Sequence, residues 1–168
     1  MFRLLIPDIF FKNIYKITPE ILSKLNIKAV ILDIDDTILA KKSSVVSDEL
    51  IVWVKNLKSK EIPVYLSSNN IKKRVMPISK RLDLPFISLA FKPFPGSIKK
   101  IEKIFNIPKK NLCIIGDQMF TDMIAGNLAG VKTILVDPLS NSHGVTVRLK
   151  RLLEKPIRKR LKYYSEYI

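Results

Sequence analysis

The stretch AVILDIDDTILA, residues 29–40, places three aspartates, Asp33, Asp35 and Asp36, within four positions directly after four apolar residues. Ala29, Val30, Ile31 and Leu32, bounded by polar turn formers, read as a strand buried on both faces, the kind that belongs to a parallel sheet. The acids then stand at its carboxyl end, where open α/β sheets place their ligands. Carboxylates this close repel one another unless a cation, a proton or phosphate-transfer chemistry engages them. A solvated acidic turn is the plain alternative, and the rest of the chain has to choose.

Apolar runs of the same kind recur at 62–68 (IPVYLSS), 86–91 (FISLAF), 112–117 (LCIIGD) and 132–137 (KTILVD), with helical patterns between them. That alternation predicts parallel pairing through right-handed crossovers. The helix after the first strand is predicted to begin at Ser47, a good N-cap, with Asp48 and Glu49 in its positive first turn. Leu50, Ile51, Val54 and Leu57 recur at helical spacing and read as core. Further helices are expected over about 71–82, after PGS at 95–97, and over about 121–129 with Gly130 closing the last. Thr18 and Pro19 open another over 18–26. No repeat or Gly/Ser linker interrupts the pattern. One α/β domain over 1–168 is expected, with a helical N-terminal extension (about 1–26) and a basic amphipathic C-terminal segment (about 145–168).

The bulk composition narrows the class. The 168 residues suffice for one domain with a full core, and 47% hydrophobic against 27% charged residues is an ordinary globular balance. No apolar run approaches the ~20 residues of a membrane-spanning helix. Pro7 and Asp8 break the early apolar patch and no small-residue cleavage site follows, so a secretory signal is not expected. The lone Cys113 cannot form an internal disulfide, and as a buried small hydrophobe it fits a reducing, cytoplasmic setting. The formal charge of +15 implies anionic partners, whether nucleic acid, acidic lipid or phosphorylated substrates. The same charge also fits a genome biased toward Lys and Ile codons.

The strand ends carry the chemistry. The first ends in Asp33, Asp35, Asp36 and Thr37, the second in Ser67, Ser68, Asn69 and Asn70. The segment after the third holds Lys92, and the fourth ends in Asp117 with Asp122 close behind. On one edge of a parallel sheet these converge on one crevice. Hard oxygen ligands for a divalent cation, a cation for phosphoryl oxygens and a nucleophilic carboxylate suit phosphoryl transfer. Glycosidases need two carboxylates but neither the Lys nor the second acid pair. His143 stands in SNSHGV, which reads as an exposed turn and leaves Ser-His-Asp and Cys-His hydrolases without a base. Zinc lacks its usual ligands, and no Gly-rich phosphate loop follows a strand. A phosphoacceptor receiver domain uses a similar set, but in a different strand order.

DIDDT, SSNN, KPFPG and GDQMFTD, in that order at strand ends, resemble the four motifs of the haloacid-dehalogenase (HAD) superfamily of phosphohydrolases. PDIFFKNIYKITPEIL at the start, GDQMFTDMIAGNLAG and the basic tail extend the likeness to YqeG-type HAD phosphatases over nearly the whole chain. The resemblance implies a three-layer, Rossmann-like α/β fold and Mg²⁺-dependent hydrolysis of phosphate esters. By position it implies Asp33 as nucleophile and Asp35 as general acid and base. Ser68, with Ser67 as the competing choice, and Lys92 would bind phosphate. Asp33, the Asp35 carbonyl and Asp117 would hold Mg²⁺, with Asp122 supporting Lys92 or a metal water. Asn69 belongs to the second motif beside Ser68, and Thr37 is expected to brace the turn. Asp36 stands where relatives often carry Asn, and its extra charge would tighten metal binding or face solvent.

Nine residues separate Thr37 from Ser47 and 24 positions separate Ser68 from Lys92, so neither interval holds a cap domain. An open site suits a macromolecular or membrane-embedded phosphate ester, or one closed by another subunit. On a helical wheel of the tail, Leu149, Leu153, Ile157, Leu161, Tyr164 and Ile168 share a face opposite Arg148, Arg151, Lys155, Arg158, Lys159 and Lys162. Such a helix either lies on anionic lipid or docks its apolar face on the domain, with Pro156 as a kink. Leu4, Leu5, Ile6, Ile9 and Phe10 would add a second apolar patch. The expected function is phosphatidylglycerophosphate hydrolysis, peripheral at the inner face of the membrane, leaning on the resemblance. The alternatives are a phosphatase for soluble esters or nucleic-acid ends, and an RNA- or ribosome-binding module that retains the core.

Overall fold

The computed structural model describes residues 2–40, 43–140 and 145–164, with the side chains of 145–151 outside the description. His143 and Ile168 lie outside the described residues. Among them, six strands form one all-parallel sheet: β1 (Ile9–Phe11), β2 (Ala29–Leu32), β3 (Val64–Ser67), β4 (Phe86–Ile87), β5 (Leu112–Gly116) and β6 (Lys132–Val136). Their spatial order is β1-β6-β5-β2-β3-β4, so the chain runs outward one way from β2 and then returns to its other side. The crevice that opens at such a reversal lies beyond the carboxyl end of β2.

The two-residue period of a strand sorts the side chains between two layers. Val30 and Leu32 of β2, with Cys113 and Ile115 of β5, pack against α1 (Pro19–Lys24), α2 (Asp48–Ser59) and α3 (Lys72–Leu82) through Leu22, Leu50, Leu57, Val75 and Ile78. Ala29, Ile31, Leu112 and Ile114 pack against α4 (Gly96–Phe105) and α5 (Ile124–Ala129) through Ile98, Ile101, Ala125 and Ala129. The result is a three-layer, Rossmann-like α/β fold. Each fully buried Leu or Ile contributes about 1.5–3 kcal/mol. The predicted caps form: Thr18 Oγ accepts from the Ile21 amide at 3.4 Å and Ser47 Oγ from the Leu50 amide at 3.2 Å. Trp53 donates its indole N–H to the Ile17 carbonyl at 2.9 Å and so ties α2 to the N-terminal segment. No inserted domain interrupts the described parts of 38–46 or 68–92.

The N-terminal extension expected to be helical contains β1, which pairs with β6 at the sheet edge. Asp8 secures it, accepting from the Thr133 amide at 2.8 Å and donating its own amide to Thr133 Oγ1 at 2.9 Å. A three-residue strand whose partner is 125 positions away leaves no local period to read. Its apolar residues are mostly used internally, for Leu5 and Phe10 are buried with Met119, Met123 and Leu135. The strand expected over 86–91 stops at Ile87 because the next residues turn aside to bond the loop after β3. The helix expected from about 121 begins with a π-type turn, Met119–Met123, before α5, and Gly130 ends α5 at φ 76°.

The C-terminal segment forms α6 (Val145–Arg158), which continues past Pro156 instead of splitting there. Its docked face differs from the predicted wheel. Leu153 is exposed, whereas Glu154 is fully buried and Arg158 turns inward; Ile157, Leu161 and Tyr163 pack on the Leu5–Phe10 cluster, and Tyr164 on Phe11. Tertiary hydrogen bonds to a buried acid and an arginine outweigh the apolar period here.

Candidate active site

Asp33 follows the last residue of β2, and its amide donates to the Ile115 carbonyl, continuing the pairing with β5. Asp36 then adopts φ 64°, and its amide bonds the Leu39 carbonyl at 2.7 Å while the Leu39 amide bonds the Ile34 carbonyl at 3.1 Å. This tight turn brings the buried Thr37 back beneath the strand. Its hydroxyl lies 3.0 Å from Asp33 Oδ2 and 3.2 Å from Asp117 Oδ1, and with one proton it donates to one of them at a time. Of the two alternatives for Asp36, the structure overturns the one in which it faces solvent. It is buried in the left-handed region, which Asp tolerates better than most residues, and its carboxylate accepts from the Ser140 hydroxyl while its carbonyl accepts from the Leu139 amide.

Lys92 reaches the same point from the far side. Its buried ammonium donates to Asp33 Oδ1 at 2.6 Å, Asp122 Oδ1 at 2.7 Å and the Ser67 carbonyl at 2.9 Å, which occupies all three protons. Asn69 fixes the Lys92 backbone by a reciprocal pair: its amide donates to the Lys92 carbonyl at 2.9 Å and its oxygen accepts from the Lys92 amide at 2.8 Å. Burial pushes the Asp33 carboxyl up to about 7, against the pull of Lys92 and with a further push from Asp122. Burial alone would lower Lys92, but Asp122 and Asp33 outweigh it and hold the ammonium above its ordinary value. Asp122 comes from the π-type turn and lies against Gly116, where any Cβ would collide with its carboxylate.

One carboxylate oxygen from each of Asp33, Asp117 and Asp122 lies within 4.8 Å of the others, and all three residues are buried. Lys92 supplies one positive charge to this group. Hard oxygen donors at that spacing suit a divalent metal ion. An open cleft of about 640 Å³ reaches the cluster at Asp33, with Asp35, Ser68, Lys92, Gln118 and Thr121 also in its wall. Ser68 lines the cleft and accepts the Asn70 amide at 3.1 Å, whereas the hydroxyl of Ser67 is buried without a hydrogen-bond partner. Asp35 sits at the rim, held by the Asn70 side-chain amide at 2.7 Å and the Arg74 guanidinium at 2.9 Å.

Three contributors, Arg74, Glu154 and Arg158, carried no sequence signal as site residues. Arg74 grips Asp35 together with Asn70, the last residue of the SSNN motif. Glu154 and Arg158 reach in from α6: Glu154 accepts from the Met119 amide at 2.9 Å, and Arg158 donates to the Asp117 carbonyl while pairing with Asp137 at 3.2 Å. Helical periodicity assigned Arg158 to the solvent face and said nothing of Glu154.

Residues 2–140 match the family described as mitochondrial PGP phosphatase. The chain belongs to this family. It is 37% identical over 160 residues to "Probable phosphatase YqeG" of Bacillus subtilis (strain 168), covering 95% of this chain and 93% of that protein. It is 26% identical over 168 residues to "Phosphatidylglycerophosphate phosphatase 1, chloroplastic/mitochondrial" of Arabidopsis thaliana, covering 94% of this chain but about half, 48%, of the plant protein. Among solved structures, the cobalt-bound deoxy-D-mannose-octulosonate 8-phosphate phosphatase of Haemophilus influenzae superposes with a TM-score of 0.54 at 15% identity, covering 75% of each chain, a likeness of fold. This member of the PGP phosphatase family is therefore a HAD-type phosphatase, a phosphoric monoester hydrolase.

Proposed function

We propose that this phosphatase removes the terminal phosphate of phosphatidylglycerophosphate at a membrane surface, using Mg²⁺ and an aspartyl-phosphate at Asp33. The observation that carries the reading is the Asp33 carboxylate, buried at the floor of an uncapped cleft and aimed by Lys92 and Thr37. The name of the plant relative supports the lipid, as does a cleft without a cap, which admits an ester projecting from a surface. Among the described residues no helix is long and apolar enough to cross a membrane.

In this reading an Asp33 oxygen attacks phosphorus in line, the bond to the leaving oxygen breaks, and Asp35 gives that oxygen its proton. Asp35 then takes a proton from the water that attacks the phosphorus, which frees inorganic phosphate and restores Asp33. Ser68 hydrogen-bonds the phosphoryl oxygens and Lys92 neutralises them, with Asp122 and Asn69 keeping the ammonium in place. Asp33, the Asp35 carbonyl and Asp117 would hold Mg²⁺, which supplies positive charge that lets an anionic ester approach three carboxylates.

The test is phosphate release from phosphatidylglycerophosphate in mixed micelles with Mg²⁺, wild type beside Asp33→Asn and Asp35→Asn. A soluble sugar phosphate and a 3′-phosphorylated oligonucleotide run in parallel. Asp33→Asn is expected to fall to background and Asp35→Asn by about 10²–10⁴-fold. Turnover of the lipid by Asp33→Asn would sink the mechanism, and release from soluble esters alone would discard the lipid.

A further inference from the structure

Four large apolar side chains are exposed on Ile71, which lines the cleft, and on the segment that carries the cleft residue Lys92: Ile71 is 57% exposed, Leu89 47%, Phe91 68% and Phe94 70%. They come from two loops stitched together. The Leu89 amide donates to the Asn70 carbonyl at 2.9 Å, the Ala90 amide to the Ser68 carbonyl at 3.0 Å, and the Phe94 amide to the Phe91 carbonyl at 3.0 Å. Phe91 and Phe94 bracket Lys92, and Ile71 itself lines the cleft with Asp33 and Asp35.

Leu89 and Phe91 hold φ values of 49° and 52°, a left-handed conformation that is a genuine outlier for bulky residues. Aiming Lys92 explains the turns but not the residue types, since Gly or Asn would take these angles with less strain. Leu89 and Phe91 keep 47% and 68% of their surface in water, so burial within the described chain offsets only part of the cost. The rim is also framed by cations. Lys72 and Lys73, exposed, follow Ile71 in the first turn of α3, a place that disfavours positive charge, and neither α3 nor α4 has an acid in its first turn. Lys99 and Lys100, exposed on α4, follow Phe94.

We propose that Ile71, Leu89, Phe91 and Phe94 form a rim that enters an anionic lipid surface, with the flanking lysines on the headgroups and the cleft at the level of a headgroup phosphate. Exposed apolar residues followed in the chain by exposed lysines match a layer whose surface is negative and whose interior is hydrocarbon. A second copy of this chain, itself carrying +15, would repel the first. The inference rests on the proposed lipid substrate for its purpose, but its test does not depend on turnover.

The experiment is co-flotation with phosphatidylcholine vesicles, with and without phosphatidylglycerol, comparing wild type with Phe91→Asn/Phe94→Gln. Asn is chosen because it tolerates the left-handed angle. The double variant is expected to lose about tenfold or more in partition onto phosphatidylglycerol vesicles. Its hydrolysis of p-nitrophenyl phosphate should stay within about twofold of wild type, which shows that the cleft is intact. A second variant, Phe94→Trp, keeps the rim apolar. With Trp53 buried, the introduced indole should shift to the blue on these vesicles and be quenched by brominated acyl chains. Equal partition of wild type and double variant overturns the proposal even if the lipid is hydrolysed, and so does equal binding to neutral vesicles. Burial of the indole by concentration-dependent self-association without lipid would put a second copy on the rim and overturn it too. Rim-dependent binding by a protein that never hydrolyses phosphatidylglycerophosphate would uphold the surface and discard that substrate.

Discussion

Asp33 has one oxygen on the Lys92 ammonium and the other within reach of the Thr37 hydroxyl, while burial lifts its carboxyl to about 7. A carboxyl whose folded pKa lies above its unfolded value binds its proton more tightly in the native state. Its contribution to stability is then full below about 4 and is lost as the pH rises through about 7. In metal-free protein, the Tm of wild type relative to Asp33→Asn should therefore fall across that interval and flatten above it, with a divalent cation restoring most of the loss. A difference that stays level across the interval would contradict the burial argument. Lys92 makes the complementary prediction. Lys92→Met leaves Asp33 and Asp122 facing each other without their shared cation, and urea denaturation should show a loss of about 3–5 kcal/mol.

The elements behind β5 hold the cluster in register. Gly116 gives Asp122 its place, so Gly116→Ala must push that carboxylate away from Lys92. The expected result is about 1–3 kcal/mol of lost stability together with a lower kcat, since the displaced group holds the Lys92 ammonium to which we assign the phosphate. From the other side, α6 reaches the loop after β5 through Glu154 and Arg158. Glu154→Ala orphans the buried Met119 amide at a cost of about 1–3 kcal/mol. If this clasp positions Asp117, calorimetric titration should also show weaker divalent-cation binding by Glu154→Ala. Unchanged metal affinity beside lowered stability would reduce α6 to a structural brace.

At the scale of the whole molecule, the +15 charge and the uncapped cleft act together. A net field of that sign raises the local concentration of an anionic substrate and is screened over about 10 Å at 0.1 M salt. Raising the ionic strength should therefore increase KM for an anionic ester and leave kcat nearly constant. A kcat that falls in step with KM would mean that salt disturbs the buried cluster and not the approach.

The sheet's centre and the motif residues were legible along the chain because their causes are local. Short apolar runs bounded by turn formers read as buried strands, and their repetition along the chain with acids at their ends favoured a shared site over a solvated turn. Asp33, Lys92, Asp117 and Asp122 stood out at strand ends, which the crossover rule gathers on one edge, while the choice of Ser68 over Ser67 came from the family resemblance. What lay beyond reading depends on partners distant in sequence. β1 exists through a pairing across 125 positions, Asp36 is buried because Leu139 and Ser140 return to it, and Arg158 faces inward because the Asp117 carbonyl is there. Helical periodicity reports which residues share a face, but the polar groups waiting on the domain decide which face docks. The tertiary structure alone supplied that choice, because a buried hydrogen bond to a charged group outweighs the exposure of a leucine.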